Sequence, residues 1–455
     1  MRNTPSDLPL SPLDSQEIVA RFDGGRLSSD GGLVLLREID QRMGLSKTLA
    51  DCLGDDRHPA RIRHSYQDMI AARAMAIAAG YEDCDDLDVL REDPALKIAI
   101  GRRPATGHGL PSQPTLSRFE NKCARETSGW RTLARMGFKM IDLYCASYGV
   151  APKAMTLDID DTPDPVHGDQ QLSLFNTHAG GFCFKPIHVY DSAGKPVACI
   201  LFPGKRPKGE VIAQIIRHLV QRMRRHWPQC QLTIRGDGHY ANHQAMDWLE
   251  EQGHRYVFGL ASNAVLKKIA EPWVDKLAVE RAFGGDEKLR HFASTAYQAR
   301  SWSKPRHVVA RLEATLRPDV RERAMDVRFI VTNIQGQRDQ VLYEEIYCVR
   351  GQAENWIKEH KLYLSSDRTS CHKWQANQFR LFLHTAAYWL LHQVREKLAQ
   401  TARLKKASFE TLRRTLIKVA VRVSELKSRV KLSFPSSCPS QSDLHQLCQT
   451  MAASP

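Results

Sequence analysis

No stretch of the 455-residue chain approaches the roughly 18 consecutive apolar residues that span a bilayer. The opening MRNTPSDLPLSP has no apolar core of the kind a signal peptide carries. Both absences lead to the expectation of a cytoplasmic protein with no membrane partner. C-x-x-C pairs are missing as well. The eleven cysteines are odd in number and scattered from Cys52 to Cys448, so neither a disulfide framework nor a zinc ribbon is indicated, and most read as small hydrophobes. The chain is also short of acid: 51 Asp and Glu stand against 65 Lys and Arg, a net charge of +14. That excess suits a polyanionic partner such as nucleic acid. With 42% hydrophobic and 25% charged residues the composition is that of an ordinary globular protein, and the length exceeds what one hydrophobic core supports, so two or three domains are expected.

Periodicity divides the chain. The first fifteen or so residues read as a loose polar arm. From Gly31 to Tyr148, LVLLREIDQRMGL, SYQDMIAARAMAIAAG and WRTLARMGFKMIDLYCASYG space apolar residues by three and four, the mark of helices. After Gly149 the pattern alternates strand and helix: AMTLDID, a hairpin of Phe182–Tyr190 and Val197–Phe202 around DSAGKP, a helix from Gly209, a strand at Gln231–Arg235, a helix from Asn242 and a strand at Tyr256–Leu260. The expected fold is α/β, a mixed sheet with helices on its faces. Three parts are expected: a helical N-terminal region over 1–150, an α/β core over 151–365 with a partly β insertion at about 261–335, and C-terminal helices with a basic tail over 366–455. The insertion shows strands at HVVARLEATL and DVRFIVTNI. In the tail, the stretch from Arg403 to Lys431 carries ten Lys or Arg against Glu410 and Glu425, with apolar residues at helical spacing, and is read as a helix that tracks a DNA backbone.

Three segments carry chemistry. MTLDIDDT is an apolar strand presenting Asp158, Asp160 and Asp161; alternation puts Asp158 and Asp160 on one face and Asp161 on the other. LTIRGDGHY ends a second apolar strand at Gly236, with Asp237 at the C-terminal end, where α/β sheets place their ligands. YCVRGQAENWIKEHK sets Tyr347, Arg350, Glu354 and Lys361 at intervals of three, four and seven residues, so a regular helix would line them along one stripe.

That spacing resembles the Y-R-E-K signature of bacterial insertion-sequence transposases with a DDE catalytic triad, and the two Asp segments resemble that group's first and second catalytic Asp regions. The resemblance runs in order from Ala154 to Lys361 and includes a β-rich insertion before the Glu. It implies an RNase H-like core preceded by a helical domain that recognises the element's terminal repeats. It implies Asp160, Asp237 and Glu354 as metal ligands, with Asp158 as an alternate for the first, and Tyr347, Arg350 and Lys361 as residues that hold DNA phosphates. The implied cofactor is Mg2+ or Mn2+, two ions about 4 Å apart that activate the nucleophile and stabilise the leaving oxygen. The implied partner is double-stranded DNA, both transposon ends and target, bridged by a homodimer. The rival readings are an RNase H-like DNA nuclease without strand transfer and a non-catalytic DNA-binding descendant.

Other residues draw plainer readings. His239 and His243 lack a Cys or His partner at zinc spacing and are taken as incidental. His167 and Asp169 lie in a polar loop, and Trp273 and Trp302 read as core rather than base-stacking aromatics.

Overall fold

The computed structural model describes residues 8–284, 289–316, 323–399 and 402–453; the first part of the expected polar arm, and the short stretches left out of the insertion and the tail, lie outside them. The chain forms two compact units. One combines residues 123–362 with 366–385, the other residues 1–122 with 363–365 and 386–455.

The first of these units is built on an eight-stranded sheet. Helix α1 (Gly129–Ala146) leads to strand β1 (Ala154–Asp161), then to the hairpin β2 (Ile187–Asp191) and β3 (Pro196–Ile200). The Asp191 carboxylate accepts from the amides of Ala193 and Lys195, and Gly194 takes φ +80°, which closes the turn. Helix α2 (Gly209–Arg224) buries Ile212, Ile216, Leu219, Val220 and Met223, a stripe at three- and four-residue spacing. Strand β4 (Gln231–Gly236) follows, then α3 (His243–Glu251), whose N-terminus is capped by the Asn242 side chain, then β5 (Arg255–Leu260). Strands β3, β2, β1, β4 and β5 lie side by side in that order; β1, β3, β4 and β5 run in one direction and β2 runs against them. Three leading strands, the second reversed, a crossover helix, then two parallel strands added on the far side of the first, make an RNase H-like core. The strand and helix order anticipated from periodicity is the order found, except that the expected strand Phe182–Tyr190 is divided: Gly181–Phe184 pairs with Asp164–Pro165 and Leu174–Asn176 in a small separate sheet, and β2 begins at Ile187.

The insertion is less detached than its sequence suggests. A long helix α4 (Ala264–Gly284), which the sequence pattern did not reveal and which carries Pro272 inside it, is followed by β6 (Leu289–Tyr297), β7 (Arg306–Leu316) and β8 (Arg323–Thr332). These strands do not form a separate sheet: β8 pairs antiparallel with β5, Thr332 opposite Val257, so they extend the core sheet. Trp302 is buried and edge-on to Tyr297, as the core reading expected.

In the other unit, helices Leu33–Met43, Tyr66–Ala79 and Gln113–Glu120 form the N-terminal part. Tyr66–Ala79 is buried nearly all round and opens with a Ser65–Asp68 capping box. Its fully buried Arg73 meets Glu120 at 2.7 Å. Two expectations change. Helix α1, counted with the N-terminal region, packs on β3 and α2 in the sheet-bearing unit, because its apolar stripe finds its cover there. The basic tail is not one helix: after short helical turns it forms strands Val421–Glu425 and Val430–Ser433, which pair with each other, the first of them also pairing with Leu27–Ser28. The VRVSE segment alternates, with Val421 and Val423 buried against Ala95 and Arg422 exposed. Period two prevailed over the helical spacing.

Candidate active site

β1 and β4 are parallel neighbours with Ile159 opposite Gly236, so Asp160, Asp161 and Asp237 emerge together at their C-terminal ends. Alternation along β1 sends the three acids to three different cations. Asp158 is fully buried and held in a fork by Arg235, Nε to Oδ1 at 2.7 Å and Nη2 to Oδ2 at 2.8 Å, while the same guanidinium donates to the Ile346 carbonyl. Asp160 Oδ2 accepts from Arg350 Nη1 at 2.8 Å. Asp161 Oδ1 pairs with Lys185 Nζ at 2.5 Å, and its other oxygen lies 3.4 Å from the Tyr240 hydroxyl.

The acids raise one another. Burial pushes the Asp160 carboxyl up to about 6; Arg350 draws it down, and the charges of Asp237 and Asp161 push it up again. Asp237 is raised by burial first and then by Asp161, against the pull of Arg350, Arg206 and Lys185. Like charges brought together at half-buried strand ends favour a cation between them.

The segment read as one regular helix changes pitch along its length. Val341–Tyr347 is a π turn, Cys348–Gly351 a 3-10 turn, helix α5 covers Gln352–Lys358, and Glu359–Tyr363 is π again. Tyr347, Arg350 and Glu354 still follow one another along it, the Arg350 guanidinium 5.9 Å from the Tyr347 ring and 3.9 Å from Glu354, and Lys361 lies within the second π turn. Tyr347 lies against β5, its hydroxyl only 2.7 Å from where a β-carbon on Gly259 would stand, so only glycine admits it there. Arg350 turns to Asp160, and Glu354, with 67% of its side chain exposed, lies 3.9 Å from the same guanidinium. Lys361 reaches the end of β1, at 3.2 Å from Thr162 Oγ1, 2.6 Å from the Pro163 carbonyl and 3.1 Å from Asp164 Oδ1. Burial lowers the Arg350 guanidinium, and the charges of Asp160, Tyr347, Asp237 and Glu354 together raise it above its ordinary value.

A polar cleft of about 250 Å3 opens beside Asp161, lined by Arg206, Gly238, His239 and Tyr240. His239, read as incidental, has Nδ1 3.4 Å from Asp237 Oδ2 and 3.8 Å from Asp161 Oδ2. Lys185 and Arg206 carried no motif. The one hint for Lys185 was a lone cation inside the apolar run FCFKPIHVY, where a charge needs a partner.

A sheet of this topology, with acids at the ends of β1 and β4 and on the helix after the insertion, makes the fold RNase H-like. Residues 10–455 match the family Transposase DDE domain group 1, and the chain belongs to that family. No curated protein matches. Among solved structures the chain is similar to the piggyBac transposase synaptic complex with hairpin DNA, at 10% identity over 92% of each chain and a TM-score of 0.37, a likeness too distant to argue from. Among the described residues no helix is long and apolar enough to cross a membrane.

Proposed function

We propose that this protein is the transposase of an insertion sequence, cutting DNA at the element's terminal inverted repeats and joining the freed 3′-hydroxyls to target DNA. The observation that carries the reading is that Asp160 and Asp237 stand at adjoining strand ends while Arg350 donates to Asp160 and lies 3.9 Å from Glu354.

The donor set fits divalent metal ions of the hard kind. It offers carboxylate oxygens, two of them raised by burial and mutual repulsion, which is what Mg2+ or Mn2+ takes as ligands. Asp160, Asp237 and Glu354 would hold two such ions, which when bound supply an activated nucleophile and charge neutralisation at the phosphate. The chain's own residues do the rest. Asp160 and Asp237 are fixed by the strand ends, whereas the exposed Glu354 is free to swing in as DNA arrives. Arg350 has a planar fork suited to phosphate oxygens once Asp160 turns from it. Tyr347 is braced against Gly259 and presents its hydroxyl toward the same strand end. Lys361 ties the end of β1 and lends positive charge beside it. The helical N-terminal region would grip end DNA, and a homodimer would hold two ends at once.

The test is incubation of the purified protein and Mg2+ with DNA carrying the inverted repeats that flank its gene, then of pre-cleaved ends with a plasmid target. Cleavage at the repeats and integrated product are expected. Cleavage without integration would make the protein a nuclease, and binding without metal-dependent nicking would make it a DNA-binding descendant.

A further inference from the structure

A second cluster of ligand-type side chains lies in the core, built from softer atoms than the acid site. His188 on β2 and Cys199 on β3 are direct cross-strand partners, and Cys199 Sγ lies 3.3 Å from His188 Nδ1. His360 enters from the π turn that follows α5, its ring edge-on to that of His188 with centroids 5.4 Å apart. One donor atom from each residue lies within 4.8 Å of the other two, and all three side chains are at most 2% exposed. The Nε2 atom of His188 is buried and has no hydrogen-bond partner among the described residues.

We infer that His188, Cys199 and His360 form a binding site for a thiophilic transition-metal dication, Zn2+ above all, separate from the carboxylate site. Two imidazoles and a thiol are the wrong ligands for Mg2+ and the right ones for zinc. In a tetrahedral zinc site with Zn–S about 2.3 Å and Zn–N about 2.0 Å, sulfur and nitrogen stand roughly 3.5 Å apart. The observed 3.3 Å is close to that edge, and the antiparallel register holds it there. The wider turn of a π segment sets His360 on the buried side; such turns recur at functional sites. Burial keeps both imidazoles unprotonated, His360 down to about 3, so their lone pairs are available. The alternative is a hydrogen bond between the Cys199 thiol and the His188 imidazole with no ion. On loading, the Cys199 thiol gives its proton to solvent, a sulfur–metal bond forms, the two imidazoles donate electron pairs, and water takes the fourth position; no oxidant or reductant is involved. Such an ion would clamp β2 and β3 to the segment that carries Glu354, six residues before His360.

The experiment is metal analysis of the full chain, expressed without a metal-binding tag and dialysed against Mg2+ buffer free of zinc, followed by Co2+ substitution. About one zinc per chain is expected, together with a near-ultraviolet sulfur-to-Co2+ band and intense visible bands of tetrahedral Co2+. Cys199→Ser should lose the sulfur band, while Asp160→Asn/Asp237→Asn should keep both the zinc and the spectrum, which separates this site from the acid site whether or not the protein transposes DNA. A wild-type chain that retains no transition metal and gives no sulfur band with Co2+ overturns the inference, and that measurement needs no variant to fold. Loss of the spectrum in the double Asp variant also overturns it, since the ion would then belong to the carboxylates.

Discussion

At the scale of single residues, the acids of β1 differ in which cation each one meets. Asp158 and Arg235 form a buried, two-pronged pair, and removing one partner of such a pair leaves the other charged and dry, a loss of about 3–5 kcal/mol. Asp158→Asn is therefore expected to lower the unfolding free energy measured by denaturant titration by that order, with lost cleavage following from lost fold. Asp160 is raised and shares Arg350 with Glu354, so Asp160→Asn should keep the wild-type unfolding midpoint and abolish Mg2+-dependent nicking. If Asp160→Asn cuts at the wild-type rate, the first catalytic acid is Asp161, which shares the cleft with His239 and Tyr240. Asp164 offers a pH test. It is wholly buried, and despite Lys361 its carboxyl is pushed up to about 7, above the ordinary carboxylate value. Between the unfolded value near 4 and about 7 the native state holds a proton that the unfolded state has released. This residue's contribution to stability is complete below that window and is lost as pH rises through it. Urea midpoints measured from pH 4 to pH 8 should fall less steeply for Asp164→Asn than for wild type; parallel curves would refute the assignment.

At the scale of elements, the segment from Val341 to Lys361 governs the chemistry, and it shows how far the sequence could be read. The acids were legible because alternation on an apolar strand and an Asp after a strand end are local patterns. The residues of the Glu segment were legible by spacing, but their directions were not, because the π and 3-10 turns depend on which neighbours Tyr347 and His360 can reach across the sheet. The same holds for the tail, where Val421 and Val423 are strand residues because Ala95, far off in sequence, covers them. Beyond the lone cation that hinted at Lys185, the sequence gave no sign of Arg206 or of the His188–Cys199–His360 group, which tertiary neighbours bring together and not local spacing. Two measurements follow. Glu354→Ala should abolish cleavage of end DNA and leave its binding close to wild type, because affinity rests on phosphate contacts elsewhere. Arg350→Ala should weaken binding across DNA sequences and reduce the slope of log K against log salt by about one unit. Lys361, already tied to Thr162, Pro163 and Asp164, is expected to change that slope less, and an equal change in both variants would show that it leaves those partners for phosphate.

On the scale of the whole molecule, the sheet is continuous from β3 at one edge to β6 at the other. The chain leaves the core at the end of β5 and comes back along β8, paired antiparallel to β5 with Phe329 opposite Leu260. Departure and return thus share one seam, and the segment that carries Glu354 starts from the same place whatever lies between. Lengthening such an excursion costs little, since closure entropy grows only with the logarithm of its length. The stretch from Ala264 to Leu316 therefore behaves as an exchangeable cassette: a relative could carry a shorter, longer or quite different one, altering what the protein touches, and still deliver its glutamate to the same two aspartates.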